Sequence, residues 1–179
     1  LGLPGETYQG IIDTFRGLMN AHIEDIQCYT CMMLDGAEMN SAVERKKWNF
    51  QTKFRVLPKD FVKLKNGKNV VEIEEVVIEN NTLSFKESVE LRCISISLFV
   101  TNIGIVYHPL LKFLSENHIE VFELIYETVK NLENAPNTVK SVFKSFEKQT
   151  IEELWDSPEE IEAHYQNDQE FQKLLDEDS

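Results

Sequence analysis

Between residues 7 and 22 the apolar side chains Ile11, Ile12, Phe15, Leu18 and Met19 recur at three- and four-residue intervals. That spacing predicts a helix with one buried stripe and one polar face. Residues 23–34 follow as a β-like run, with Ile26, Tyr29 and Thr30 in it and Asp35-Gly36 stopping it. A helix followed by such a strand is the αβ half of a parallel βαβ unit, whose first strand is represented here by Leu1. From 40 to 64 the pattern is mixed: a short helical turn through Val43 and Arg45, then an irregular basic-aromatic stretch. Asn66-Gly67 predicts a tight turn. Residues 69–79 alternate around Val71, Ile73 and Val76-Val77-Ile78 and read as a strand ended by Asn80-Asn81, with a helix the competing reading of so glutamate-rich a run.

Beyond Ser84 the periodicity turns helical. Ser84 with Glu87 forms a capping box, and Phe85, Val89, Leu91, Ile94, Leu98 and Phe99 give the next helix a broad apolar surface and a central place in the fold. His108-Pro109 opens another helix, residues 119–132 form a third, and Ala135-Pro136-Asn137 separates it from a fourth around Val139, Val142, Phe143 and Phe146. Ser157-Pro158-Glu159-Glu160 combines a capping serine, a proline at the first helical position and a glutamate at the third. These elements predict an α+β chain, mostly helical, in three parts: 1–64, 65–156 and an acidic helix over 157–179.

Charge changes the picture mainly at the end of the chain. The net charge is −13, and residues 151–179 hold eleven acidic side chains against one lysine, leaving −3 for all that precedes them. The acidic segment reads as a solvated helix face, with a regulatory tail as a weaker alternative. Nucleic-acid binding needs a clustered basic field, and the only candidate is Arg45-Lys46-Lys47 with Lys53 and Arg55, so no nucleic-acid partner is expected. The longest apolar stretch, 94–107, is interrupted by Ser95, Ser97, Thr101 and Asn102, and no membrane partner is expected. Three unevenly spaced cysteines make no disulfide framework, and a reducing cytoplasm is the expected compartment.

Little in the chain points to independent catalysis. Cys28 and Cys31 lie three apart in a β-like run, so their sulfurs face opposite sides and cannot share an ion. His22, His108, His118 and His164 are scattered, with no i,i+4 pair to hold zinc, and His22 and His108 read as structural. Glu72, Glu74, Glu75 and Glu79 read as one wet strand face, and no phosphate loop or nucleophile elbow is present.

The opening Gly2-Leu3-Pro4-Gly5-Glu6-Thr7 is a strand-to-helix junction in which glycines permit positive φ and Thr7 can cap the helix. Taken with Met33-Leu34-Asp35-Gly36-Ala37-Glu38, Arg45-Lys46-Lys47-Trp48, Phe54-Arg55-Val56-Leu57-Pro58, Glu72-Ile73-Glu74-Glu75-Val76-Val77 and Thr82-Leu83-Ser84-Phe85, it resembles the carboxy-terminal part of a radical S-adenosylmethionine enzyme. The resemblance is to the group carrying a cobalamin-binding domain, and it covers roughly residues 1–90. It implies the last αβ elements of a partial (β/α)6 barrel followed by a helical extension over the substrate side. It also implies that Gly2, Pro4, Gly5 and Glu6 lie under the adenosine of S-adenosylmethionine and that Asp35, Gly36 and Ala37 flank the adenine, largely through backbone; both loops also read as plain chain reversals. The family's Cys-x-x-x-Cys-x-x-Cys loop for a [4Fe–4S] cluster does not occur here. The cluster, the cofactor and cobalamin are therefore expected in an intact parent, with the upstream part of the same polypeptide as partner, and the chain alone is expected to be inactive. The competing reading is a non-catalytic interaction module whose helical half packs against a partner or a second copy of itself, with an exposed sheet edge and the apolar stripe of its helix as the attracting surfaces.

Overall fold

Thr7 starts the first helix as its spacing predicts: its Oγ1 accepts from the Gly10 amide at 3.1 Å, and α1 (Tyr8–Asn20) buries Ile11, Ile12 and Phe15. The computed structural model describes residues 1–23, 26–102 and 107–177. Within them the chain is α+β and mostly helical, around one antiparallel hairpin. After α1 come α2 (Ala42–Trp48), β1 (Gln51–Lys63), β2 (Asn69–Glu79), α3 (Phe85–Asn102), α4 (His108–Glu116), α5 (Val121–Lys130), α6 (Asn137–Glu152), α7 (Pro158–Tyr165) and α8 (Asp168–Glu177). No described helix is long and apolar enough to cross a membrane.

The capping box at Ser84 forms in both directions: Ser84 N donates to Glu87 Oε2 at 2.8 Å and Glu87 N to Ser84 Oγ at 3.4 Å. The helix it starts, α3, packs against α1, α5, α6 and β2. Its buried residues Val89, Leu91, Cys93, Ile94 and Leu98 are spread around the helix, as a central element requires. Leu91, Cys93, Ile94 and Leu98 make the main core with Ile12, Phe15, Leu83, Phe122 and Ile125. Each such side chain contributes about 1.5–3 kcal/mol by leaving water. A smaller core of Met33, Phe50 and Val77 lies beside it, with Cys31, Met39 and Trp48 packed against it.

Three of the expected elements differ, one of them the single helix expected over 157–179, which is two, α7 and α8. Within 23–34, Glu24 and Asp25 lie outside the described residues, and residues 26–34 are extended but pair only locally, through a bridge from Met32 to Val76. The bonds that hold them are Met33 N to the Glu75 carbonyl and Val77 N to the Cys31 carbonyl, both 2.9 Å. On the other side Leu1 donates to the Tyr29 carbonyl at 2.5 Å and accepts from Cys31 N at 2.7 Å, which is the parallel pairing pattern. Conversely, the stretch read as irregular, 51–63, is a strand. Its register runs from Gln51 opposite Glu79 to Lys63 opposite Asn69, interrupted where four residues, 57–60, stand against Glu72 alone. Pro58 cannot donate to a ladder and Lys59 is left-handed (φ 68°), so the alternation that marks a strand is broken there.

The acidic segment is not merely a solvated face. Phe54 and Trp155 exchange both backbone hydrogen bonds, at 3.0 and 2.8 Å, covering the β1 edge at that point. Beyond them α7 packs on β1 and β2. Ile161 and Phe171 are 0% and 1% exposed, and Phe171 meets Phe61 edge-on at 6.3 Å. The side chain of Asn69 donates to the Tyr165 carbonyl and to Asp168, each at 3.0 Å, and Lys63 pairs with Asp168 at 2.8 Å.

Candidate functional site

The two loops singled out in the sequence lie at the same end of paired backbone. Gly2, Pro4, Gly5 and Glu6 follow Leu1, and Asp35, Gly36 and Ala37 follow the segment that runs parallel to it. Each loop therefore leaves the carboxyl end of its segment, with α1 as the connection between them.

Gly2 has φ 97° and is buried, and a Cβ there would stand 3.2 Å from Val77 Cγ1, so both backbone and space demand glycine. Its carbonyl accepts from Asn80 Nδ2 at 3.2 Å. Asn80 is itself buried, and its Oδ1 accepts from Thr82 N, Thr82 Oγ1 and Leu83 N, which locks the β2–α3 turn beneath the loop. Glu6 folds back on its own loop: Leu3 N donates to Glu6 Oε2 at 2.8 Å while Glu6 N donates to the Leu3 carbonyl. The carboxylate is thus engaged within its own loop. Gly5, at φ 81°, faces Trp48, whose Cη2 would lie 3.7 Å from an added Cβ.

The second loop is held by α2. Ala37 N and Asn40 Nδ2 both donate to the Leu34 carbonyl at 3.1 Å, and Arg45 Nε donates to Asn40 Oδ1 at 2.8 Å. The same guanidinium forks onto Glu75 at 2.8 and 2.6 Å, tying this loop to β2. Burial disfavours the ionised Glu75, but the bonds from Arg45 and Thr52 outweigh it and hold the carboxyl below its ordinary range. Asp35 and Gly36 are exposed, and nothing lies within 4 Å of where a Gly36 Cβ would stand. The structure therefore brings Gly2, Pro4, Gly5 and Glu6 together in one loop and Asp35, Gly36 and Ala37 in another, with Trp48 between Gly5 and the small core around Met33.

Trp48, Arg45 and Asn80 do not stand out as site residues in the sequence. Trp48 is half-buried, its indole N–H donates to Glu44 at 2.9 Å, and its carbonyl accepts from Asn81 N at 3.0 Å. The long contacts join residues 30 to 78 positions apart, and the Glu44–Trp48 pair, four apart on a helix, has a local signal. Four members of the basic cluster are paired: Arg45 with Glu75, Lys47 with Glu44 at 2.9 Å, Lys53 with Asp156, and Arg55 with Glu74 and Glu153.

The glutamates of β2 correct the expectation of a single wet face. Glu74 is 9% exposed and paired with Arg55, whereas its neighbour Glu75 points to the other side and meets Arg45. Glu153 accepts from both Arg55, at 3.0 Å, and Arg92, at 2.6 Å, and so joins the hairpin to α3.

The cysteines sit as the strand alternation predicts. Cys28 packs on the main core and Cys31 on the smaller one. Burial raises both thiols above the ordinary range and pushes Cys93 up to about 11, which disfavours thiolate chemistry. Among the described residues no three His, Cys, Asp or Glu side chains come together as metal ligands. At the start of α1, Tyr8 donates to Glu90, which also accepts from Lys130 at 2.8 Å. Burial and then the Glu90 bond raise the Tyr8 hydroxyl well above the ordinary tyrosine range. The cluster fastens the helix that follows the first loop to α3 and α5.

Compared with known proteins, the chain matches no family model and no curated protein.

Proposed function

We propose that this chain is the carboxy-terminal part of a radical S-adenosylmethionine enzyme, comprising the last αβ elements of its partial barrel and a helical extension. The observation that supports the reading is the parallel pairing of Leu1 with residues 29–31. It aims the loop from Gly2 to Glu6 and the loop from Asp35 to Ala37 toward one end, where parallel α/β sheets bind their ligands. In the intact enzyme these loops would contact the adenosine portion through backbone groups. A [4Fe–4S] cluster on an upstream Cys-x-x-x-Cys-x-x-Cys loop would supply the electron that cleaves the cofactor to a 5′-deoxyadenosyl radical, with cobalamin as a further cofactor if the parent keeps that domain. The described residues would shape and close the site.

The test is made on the parent polypeptide, reconstituted anaerobically with iron and sulfide and given S-adenosylmethionine and dithionite. Release of 5′-deoxyadenosine, lost when one cysteine of that loop is changed to alanine, is the expected result. A parent lacking the loop overturns the proposal.

One observation favours the second reading, a helical interaction module. Between α3, α4, α5 and α6 runs an apolar groove of about 380 Å³. Val100, Leu110, Leu124 and Val142 in its wall are all exposed. Light scattering separates the two readings: a concentration-dependent dimer that Leu110→Glu dissolves supports the module, and a strict monomer counts against self-association.

A further inference from the structure

We infer that a small recess between the hairpin, α3 and α6 is a binding site for one ordered water molecule, held by the hydroxyl of Thr150. The recess has a volume of about 20 Å³, and Thr30, Val76, Ser88, Val89, Arg92 and Thr150 stand in its wall. A single water needs at least roughly 10–15 Å³ of such space, so one fits and an organic ligand does not.

Thr150 carries the argument. It is 3% exposed, and its Oγ1 has no hydrogen-bond partner among the described residues. Buried hydroxyls in folded proteins are nearly always bonded. A helical threonine commonly gives its proton to the carbonyl four residues back. Elsewhere in this fold that is what happens: Thr14 donates to Gly10 at 2.8 Å, Thr101 to Ser97 at 2.5 Å and Thr128 to Leu124 at 2.7 Å. Thr150, in the wall of the recess, departs from that pattern.

A bound water needs two to four polar partners. Beside Thr150 the wall contains the hydroxyl residues Thr30 and Ser88, and Arg92, which gives one N–H to Glu153 and carries further donors. The water would join α6 to α3 and to the extended segment that pairs with Leu1, beside the Arg92–Glu153 ion pair.

A crystal structure at about 1.8 Å or better tests the site directly. The expected result is a density peak at hydrogen-bonding distance, about 2.7–3.2 Å, from Thr150 Oγ1. A dry recess, or Oγ1 turned onto the Phe146 carbonyl, overturns the inference. Thermal unfolding of two variants gives an independent answer through its sign. With water present, Thr150→Val removes a ligand of the water and lowers the midpoint below those of the parent and of Thr150→Ser, which keeps the hydroxyl. In a dry recess Thr150→Val replaces an unbonded hydroxyl by a methyl group, and an unchanged or raised midpoint counts against the site.

Discussion

In the helical half, Leu91, Ile94, Leu98 and Phe122 close on one another in an apolar cluster, with charged groups such as Arg16, 5.3 Å over the Phe122 ring, at its margin. The hairpin and the C-terminal segment instead meet through Arg55, Glu74, Glu153, Lys63 and Asp168 around two apolar anchors, Ile161 and Phe171. The first region is specified by short-range periodicity, since each helix carries its own apolar stripe. The second is specified by partners about a hundred positions apart, as in the Lys63–Asp168 pair with a separation of 105. Apolar clusters tolerate a change of neighbour of similar size, whereas a buried carboxylate requires its own cation.

The sharpest way to break this comparison is to treat the C-terminal segment as an accessory. Phe171→Ala should cost as much as Phe122→Ala, about 3–5 kcal/mol in urea unfolding, because both rings are fully buried. A loss below about 1 kcal/mol for Phe171→Ala alone would show that the segment docks without being part of the core. The ion pairs come next. Arg55→Met leaves the buried Glu74 without its cation and should cost roughly 1.5–3 kcal/mol, the worth of hydrogen bonds to a charged group. Adding Glu74→Met should restore most of that loss, because an apolar pair carries no desolvation cost. If the double variant is no more stable than the single one, the network acts through more than charge.

The smallest expected effect is a pH dependence. Glu75 has its folded-state pKa depressed by Arg45 and Thr52 despite burial. Its stabilisation is therefore complete above the unfolded-state value of about 4.3 and is lost as pH falls through the lower folded value. The unfolding midpoint should fall on acidification from about pH 5, and Arg45→Met should make that slope shallower. An identical slope in the variant would remove Glu75 from the account.

Legibility followed the same division. The α1 stripe, the Ser84–Glu87 box, the Ser157 cap, the Asn66-Gly67 turn and the β2 run are all local signals, and each appears where the pattern places it. β1 was illegible because the Pro58-Lys59 bulge destroys its alternation and only the β2 register restores it. The burial of Ile161 and Phe171 was hidden by the surrounding acidic residues, since a few apolar positions among many charges read as a wet helix until a sheet lies beneath them. At the candidate site the need for glycine at Gly2 and Gly5 was readable from the turn chemistry. The contributions of Asn80, Arg45 and Trp48 were not, because each depends on a contact that folding creates.

The pairing of Phe54 with Trp155 has a consequence for the order of synthesis. A ribosome releases β1 and β2 long before it reaches Trp155, and the neighbouring Lys53–Asp156 pair spans 103 positions. Throughout that interval the nascent hairpin carries a strand edge with free donors and acceptors, the kind of edge that recruits other chains. The two charged residues flanking Phe54, Lys53 and Arg55, then act as gatekeepers, discouraging edge-to-edge stacking until the segment after α6 emerges and the carboxylates of Asp156 and Glu153 take those cations over.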